Sequence, residues 1–138
     1  MPQESQPAPL HQRLLSRLLA PAPWQWLFLL LLCVISFLAL APVPPKEMDT
    51  GWDKANHFLA FGSLAFVGRL AWPRARKLTL PLGLVAYGGA IELIQYFVPG
   101  RSCEWADLFA DSLGIAMGLL IVMALLKLLK LSGLQRAA

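Results

Sequence analysis

The side chains with chemical capability are concentrated in three short stretches of the sequence. Asp53 and His57 are four residues apart, so they would share one face of a helix, with Lys54 beside them. Carboxylates near an imidazole can exchange protons, pair with a cationic group or hydrogen-bond a polar ligand. The other two stretches contribute the remaining candidates for a ligand-binding site, which are Glu92, Gln95, Arg101, Asp107 and Asp111.

These residue types leave several chemistries open. His57 and Glu92 could act as a general acid–base pair, whereas Lys54 and Arg101 could pair with a phosphate or carboxylate headgroup. The surplus of acids around the two cations argues against a site that strongly prefers anions. A third alternative is structural, because Glu92 and Asp111 could simply join helices through hydrogen bonds.

Metal binding and nucleophilic catalysis have little support in the sequence. His57 has no second histidine at a zinc-ligand spacing, so we expect neither a metal nor another cofactor. Ser63, Ser102 and Ser112 lie in no signature of a nucleophile, and Cys103 has no adjacent histidine. The residues alone therefore assign no catalytic group, and whether the protein is an enzyme stays open.

The composition predicts a membrane protein. Of the 138 residues, 57% are apolar and 14% are charged, and the mean hydropathy is +0.58. Soluble domains are about 45–50% apolar and about 25% charged, so an ordinary cytosolic enzyme, a disordered chain and a disulfide-rich scaffold are excluded. The basic residues are not interleaved with aromatic ones, which argues against nucleic acid as a partner. Cys33 lies in an apolar run and Cys103 in a polar loop, so both are expected to be free thiols.

Four apolar stretches are each long enough to cross a bilayer, which takes about 20 residues. They predict an all-α fold, an integral membrane four-helix bundle, with prolines in the connections. The first stretch has the basic flank of a signal peptide, but it exceeds the roughly 7–15 apolar residues of such a segment, so we expect it to be retained. The predicted spans are residues 24–41, 55–72, 78–98 and 108–126.

The segment before the first span predicts a short amphipathic helix on the inner leaflet. Leu10, Leu14 and Leu18 recur at helical spacing, with Arg13 and Arg17 on another face. The alternative is a frayed basic leader that only sets the orientation of the chain. The predicted organisation is a cytoplasmic basic leader over residues 1–23, a four-span membrane domain over 24–126 and a cytoplasmic basic tail over 127–138.

The charge distribution predicts that both termini are cytoplasmic. Nine of the 12 Lys and Arg residues lie on the side of the termini with one acid, whereas the other three lie on the opposite side with seven acids. Cytoplasmic loops carry an excess of Lys and Arg. The acid-rich connections are therefore expected on the outer face.

Alternating spans would bring the three polar stretches to one depth in the outer leaflet. Glu92 would lie about 9 Å inside the end of the third span, at a rise of 1.5 Å per residue. An acid at this depth must pair, reach water or bind a proton, and is a functional hypothesis by default. On the fourth span, Gly114 and Gly118 continue the stripe of Asp107 and Asp111, so they would let helices approach closely.

The same three stretches resemble the motifs of VanZ-like membrane proteins. The match runs over about residues 52–120 and departs at one position, where this chain has Asp111 and the family pattern usually has Asn. The resemblance implies a small helical protein of the bacterial cytoplasmic (inner) membrane, associated with resistance to lipid-tailed glycopeptides of the teicoplanin type. The matching motifs are Asp53-Lys54-x-x-His57-Phe58-x-x-Phe61, Glu92-x-x-Gln95-x-Phe97-x-Pro99-x-Arg101 and Asp107-x-x-x-Asp111-x-x-Gly114.

Functions from different classes fit these features. The favoured hypothesis is a binding protein whose polar site in the outer leaflet holds the headgroup of an amphiphile or a cell-envelope molecule. The alternatives are a membrane enzyme that acts on a cell-envelope lipid or peptide through His57 and Glu92, and a structural assembly factor. The expected partners are the lipid bilayer, a lipid-linked or amphiphilic ligand and, for a transporter, further copies of the chain.

Overall fold

A computed structural model of the protein describes residues 10–42, 53–99, 101 and 103–132. These residues form five α-helices and no strand. The prediction of an all-α fold is thus confirmed. In chain order, the helices are α1 (Leu10–Leu18), α2 (Pro21–Leu40), α3 (Asp53–Ala71), α4 (Thr79–Gln95) and α5 (Trp105–Leu131).

Prolines set both ends of α2. Pro21 occupies the first helical position, where its missing N–H would have no partner in any case, and Ala20 before it is extended. At the other end Ala41 has ψ of 132°. A residue that precedes a proline, here Pro42, is disfavoured in the α region, so the helix stops there.

Consecutive helices from α2 to α5 run in alternating directions. At one end of the bundle, the side chain of Gln25 near the start of α2 donates to the carbonyl of Ala71 at the end of α3, at 3.2 Å. At the other end, Arg101 before α5 donates to the carbonyl of Ala41 after α2. The helices α3 and α5 therefore run parallel to each other, and the polar ends of α3, α4 and α5 meet at one end of the bundle.

The core is centred on α3, which packs against α2, α4 and most extensively α5. Phe61 and Leu64 of α3 are fully buried, and so is Val122 of α5. Phe28 of α2 and Leu84 of α4 complete the apolar interior. Because α3 has neighbours on several sides, it carries more of the buried residues than the longer and more apolar α2.

Three glycines bring α3 and α5 into backbone contact. A Cβ atom added to Gly118 would collide with the backbone of Gly62, and one added to Gly114 would collide with the backbone of Phe58. Small residues permit this distance between helices in membrane proteins. We name Gly62, Gly114 and Gly118 the glycine crossing.

Two segments are long and apolar enough to cross a membrane, by length and composition. They are Arg13–Leu40, which includes all of α2, and Trp105–Leu131, which is α5. Only 6% and 22% of their most apolar windows are buried, so both present apolar surface outward, as lipid-facing helices do. The helix α4 has only 17 residues, and α3 carries charged residues at both ends. Spanning by all four helices stays a prediction.

The helix boundaries correct the predicted spans at two places. The fourth span was expected to end at residue 126, but α5 continues to Leu131 and includes Lys127 and Lys130. The third span was expected to reach residue 98, but α4 ends at Gln95. Glu92 therefore lies in the last turn of its helix rather than about 9 Å inside it, because the residues after Gln95 form turns.

The segment before the first span is helical, as predicted, and forms α1 with Leu10, Leu14 and Leu18 exposed. The indole of Trp24 donates to the carbonyl of Leu18 at 2.6 Å and fixes the junction with α2. Cys33 and Cys103 are both free, which confirms that prediction. The beginning of the predicted leader and the end of the predicted tail lie outside the described residues.

Candidate functional site

A polar cluster lies where the first turns of α3 and α5 meet the last turn of α4. Its acidic members include residues that are almost fully buried, with Glu92, Asp107 and Asp111 only 5%, 3% and 1% exposed. Acids at the start of a helix are stabilised by the partial positive charge of its N-terminus, which applies to Asp53 and Asp107. The cluster consists of Asp53, Lys54, His57, Glu92, Glu104, Asp107 and Asp111.

Lys54 connects α3 with the start of α5. Its ammonium lies 3.0 Å from Oε2 of Glu104 and 3.3 Å from Oδ1 of Asp107. These two partners raise the pKa of Lys54, which precedes the second predicted span, above its ordinary value. Lys54 and Glu104 are half exposed, so the pair closes the cluster on its solvent side.

His57 and Asp111 form the inner contact between the same two helices. Nδ1 of His57 lies 2.9 Å from Oδ1 of Asp111, within hydrogen-bonding distance. The side chains are 12% and 1% exposed, respectively. An imidazole that donates through Nδ1 to a carboxylate keeps its lone pair on Nε2, so this contact orients the ring and defines which nitrogen can accept or bind.

Three buried carboxylate oxygens in the cluster have no hydrogen-bond partner among the described residues. One of them, Oδ1 of Asp107, still lies 3.3 Å from the ammonium of Lys54. Glu92 accepts the backbone N–H of Glu104 at 2.8 Å through Oε2, but its Oε1 has none. Oδ2 of Asp111 also has none, and it lies so close to Gly88 that a Cβ there would be 2.6 Å away. An unsatisfied buried polar atom costs about 1–3 kcal/mol, and more when charged. The cluster therefore retains acceptor capacity for a donor or a cation.

One part of the cluster has the dimensions of a metal site. Ligand atoms of Asp53, His57 and Asp107 all lie within 4.8 Å of one another. Asp53 is exposed, His57 is partly buried and Asp107 is buried, so this group of side chains extends from the interior of the protein to its surface. All three residues were among the predicted site residues and were expected to meet, but their spacing in the sequence did not indicate a metal.

Gln95 and Arg101 were expected to face the same ligand, but both contact the end of α2. The amide of Gln95 donates to the carbonyl of Ala39 at 2.9 Å. Nε and Nη2 of Arg101 donate to the carbonyls of Ala41 and Leu38, at 3.1 and 2.8 Å. The last carbonyls of a helix have no partner within it, so both side chains secure α2 to the loop that follows α4.

The structure thus places six of the eight predicted site residues in the cluster and two beside it. Glu104 was not among the predicted ligand-binding residues, although it contacts Lys54 through its carboxylate and Glu92 through its backbone. Glu104 precedes the first turn of α5, where side chains follow no helical period. Only its position in the sequence, three residues before Asp107, indicated that it could belong to the cluster. Whether these residues bind a ligand stays a prediction.

Residues 13–127 match the model of the family described as VanZ/LLP1. The chain belongs to this family. The match includes the whole polar cluster and the glycine crossing, and it confirms the resemblance read from the three motifs. Together with the two apolar helices, membership of the VanZ/LLP1 family indicates a membrane protein.

One curated relative of this VanZ/LLP1 member is an uncharacterized protein of the fission yeast Schizosaccharomyces pombe. The two are 30% identical over 119 residues, which cover 83% of this chain and 68% of the yeast protein. A eukaryotic relative lends only weak support to the bacterial setting expected from the motifs. No solved structure matches the chain.

Proposed function

We propose that this VanZ/LLP1 protein is a four-span protein of the bacterial cytoplasmic membrane, with the polar cluster in the outer leaflet. Support comes from the alternating directions of α2 to α5 and from the positions of the charges. Arg74, Arg76 and Lys77 lie in the connection at the end opposite the cluster. Lys and Arg are enriched on the cytoplasmic side of membrane proteins.

Cysteine labelling in intact cells tests this orientation. Cys103 is exposed near the cluster and Arg76 is exposed at the opposite end, so the two positions form a matched pair. With Cys33 replaced by Ala, Cys103 should react with a membrane-impermeant maleimide. An Arg76→Cys variant that also lacks Cys103 should react only after the cells are opened. The reverse pattern would place the cluster on the cytoplasmic side.

The function proposed for the cluster is to bind the headgroup of an amphiphile while its apolar tail lies among the helices. The observation that carries this proposal is the pair of buried carboxylate oxygens on Glu92 and Asp111 that have no partner among the described residues. A protein stabilised by its own contacts alone gains nothing from such atoms. A ligand that donates hydrogen bonds or carries positive charge would satisfy them.

The charges of the cluster favour a headgroup rich in donors, such as amines, hydroxyls or amides. Lys54 is already paired with Glu104 and Asp107, and Arg101 contacts the end of α2 instead of the cluster. An anionic headgroup would therefore meet mainly acids. Lipid-tailed glycopeptides of the teicoplanin type combine such donors with an apolar tail, and binding them would account for a link to antibiotic resistance.

Copurification tests the proposal directly. The protein is extracted from membranes in mild detergent, and the amphiphiles that accompany it are identified by mass spectrometry. We expect one class of amphiphile at near-stoichiometric amount, reduced about tenfold in Asp107→Asn because that residue lies at the centre of the cluster. Ser36→Ala, which changes a polar contact between α2 and α4, serves as the control and should retain it. Equal lipid content in all three proteins would contradict headgroup binding at the cluster.

A second candidate function, acid–base catalysis on a cell-envelope lipid or peptide, is favoured by the contact of His57 with Asp111. The enzyme hypothesis paired His57 with Glu92, and the carboxylate at hydrogen-bonding distance from His57 belongs to Asp111. Glu92→Gln distinguishes binding from catalysis by Glu92. General acid–base catalysis contributes about 10²–10⁴-fold, so an enzyme that uses Glu92 would lose its activity, whereas a binding site would keep most of its ligand.

A further inference from the structure

The polar cluster contains a set of metal ligands contributed by two helices. We propose that Asp53, His57 and Asp107 bind one divalent transition-metal ion. The ligand atoms of these three residues lie within 4.8 Å of one another. Bonds of about 2.0–2.2 Å allow at most about 4.4 Å between two ligands of one ion, so the side chains would move slightly closer together on binding. This goes beyond headgroup binding and does not depend on it.

The orientation of His57 fits a metal ligand. Metal-binding histidines usually donate their other ring N–H to a carboxylate, which fixes the tautomer and makes the ligating nitrogen more basic. Asp111 supplies such a carboxylate at 2.9 Å from Nδ1, so Nε2 holds the available lone pair. Asp111 would thus position the ligand without contacting the ion.

Glu92 provides an independent observation that points to a cation. It is 5% exposed, and its Oε1 has no hydrogen-bond partner among the described residues. Its carboxyl lies within electrostatic range of Asp107, His57 and Asp111. An acid buried among other acids is costly because like charges repel in a low dielectric. A divalent ion at the three ligands would offset that repulsion.

The donor set selects the class of ion. Carboxylates suit Mg²⁺, Ca²⁺ and Mn²⁺, whereas an imidazole suits Zn²⁺, Fe²⁺ and other transition ions. One imidazole with two carboxylates therefore fits Zn²⁺ or Mn²⁺. Because Nζ of Lys54 lies 3.3 Å from Oδ1 of Asp107, the ion would displace the lysine towards Glu104, its other partner.

The test uses the full-length protein in detergent. Affinity tags are removed first, and a chelator then removes any bound metal. Isothermal titration with Zn²⁺ and separately with Mn²⁺ should show one site for at least one ion, and that ion should raise the melting temperature. His57→Gln and Asp107→Asn should each weaken binding at least tenfold. His11→Gln, which removes the other histidine of the sequence, should leave binding unchanged.

Folding of the variants is checked separately, by circular dichroism and by gel filtration. If Asp107→Asn does not fold, Asp53→Asn replaces it, because Asp53 is exposed and its loss leaves the interior intact. Failure of both ions to bind the wild type at 100 µM would overturn the proposal. So would binding that is equally strong in a folded His57→Gln variant. Amphiphile copurification is measured on the same metal-free protein, so the two proposals can fail independently.

Discussion

The helices α3 and α5 contact each other in two regions that are built on opposite principles. At the glycine crossing, Gly114 and Gly118 leave no space for a Cβ atom, and one at Gly62 would be tightly packed, so the backbones touch. One to two turns away, at the polar cluster, His57 and Asp111 also connect the two helices, but carboxylate oxygens are left without partners. The first region is closed to any further atom, whereas the second retains binding capacity.

The difference separates support from function. A rigid crossing fixes the positions of α3 and α5, so the side chains one turn away from it are held at defined separations. Binding sites are more precise when they lie on such elements than when they lie on loops. The glycine crossing stabilises the contact between α3 and α5. This stability offsets the repulsion between the like charges of the polar cluster.

The largest expected effect comes from filling the glycine crossing. Gly118→Leu would place a side chain against the backbone of Gly62, which cannot move without separating α3 from α5. We expect a loss of about 3 kcal/mol or more in the free energy of unfolding, at the upper end of overpacking. Gly89→Leu is the matched control, because a Cβ there has nothing within 4 Å. Similar melting temperatures of the two variants in detergent would show that the crossing does not hold the helices.

A smaller effect is expected beside the cluster, at Arg101. Arg101→Ala removes two hydrogen bonds to the carbonyls of Leu38 and Ala41, and it should cost about 2 kcal/mol because the donor is charged. The end of α2 should then exchange its amide hydrogens faster. Arg69→Ala, which removes contacts with exposed carbonyls at the opposite end, should change stability by less than about 1 kcal/mol. An unaltered exchange rate at residues 38–41 would argue against this role.

In the cluster itself, we expect a neutral substitution to stabilise the protein. Glu92→Gln preserves the shape and can still accept the N–H of Glu104, but removes one charge from a group of acids. Relief of repulsion should raise the free energy of unfolding by about 1 kcal/mol, as is common where function constrains a site. Thermal unfolding of the metal-free protein measures this change. A clear destabilisation would mean that the charge of Glu92 serves the fold.

The smallest effect is expected between α2 and α4, at a contact outside the two regions. The hydroxyl groups of Ser36 and Tyr87 lie 2.7 Å apart. Hydrogen bonds between membrane helices contribute about 0.6 kcal/mol on average in double-mutant cycles. A cycle of Ser36→Ala and Tyr87→Phe should therefore give a coupling near that value. A coupling free energy above about 2 kcal/mol would mean that this contact between α2 and α4 is itself a major stabilising region.

The helices and the meeting of the polar stretches could be predicted from the sequence because both depend on periodicity. Apolar runs and prolines located α2 to α5, and alternating directions brought Asp53, Glu92 and Asp107 to one end of the bundle. The end of α5 was placed five residues too early because Lys127 and Lys130 were treated as the start of a polar tail. Lysines can continue a helix when their charged ends extend away from the apolar surface.

The pairing of side chains within the site could not be predicted in the same way. His57 was one candidate acid–base partner of Glu92, and Arg101 was expected to contact a ligand. Their actual partners are Asp111 and the carbonyls of α2, and these depend on helix rotation and on the conformation of the loop after Gln95. A side chain in a loop follows no period, so its direction is set only when the neighbouring helices are in place.

The length of α5 has a consequence for the surrounding bilayer. With 27 residues it is about 40 Å long, whereas α4 with 17 residues is about 26 Å long. The hydrocarbon layer is about 30 Å thick. Since α4 and α5 meet at the cluster, their difference in length falls at the opposite end, where Lys127 and Lys130 are exposed. In a membrane, the hydrophobic mismatch of the protein would therefore differ between its helices. The bilayer would be thinner beside α4, and the end of α5 would lie among the lipid headgroups.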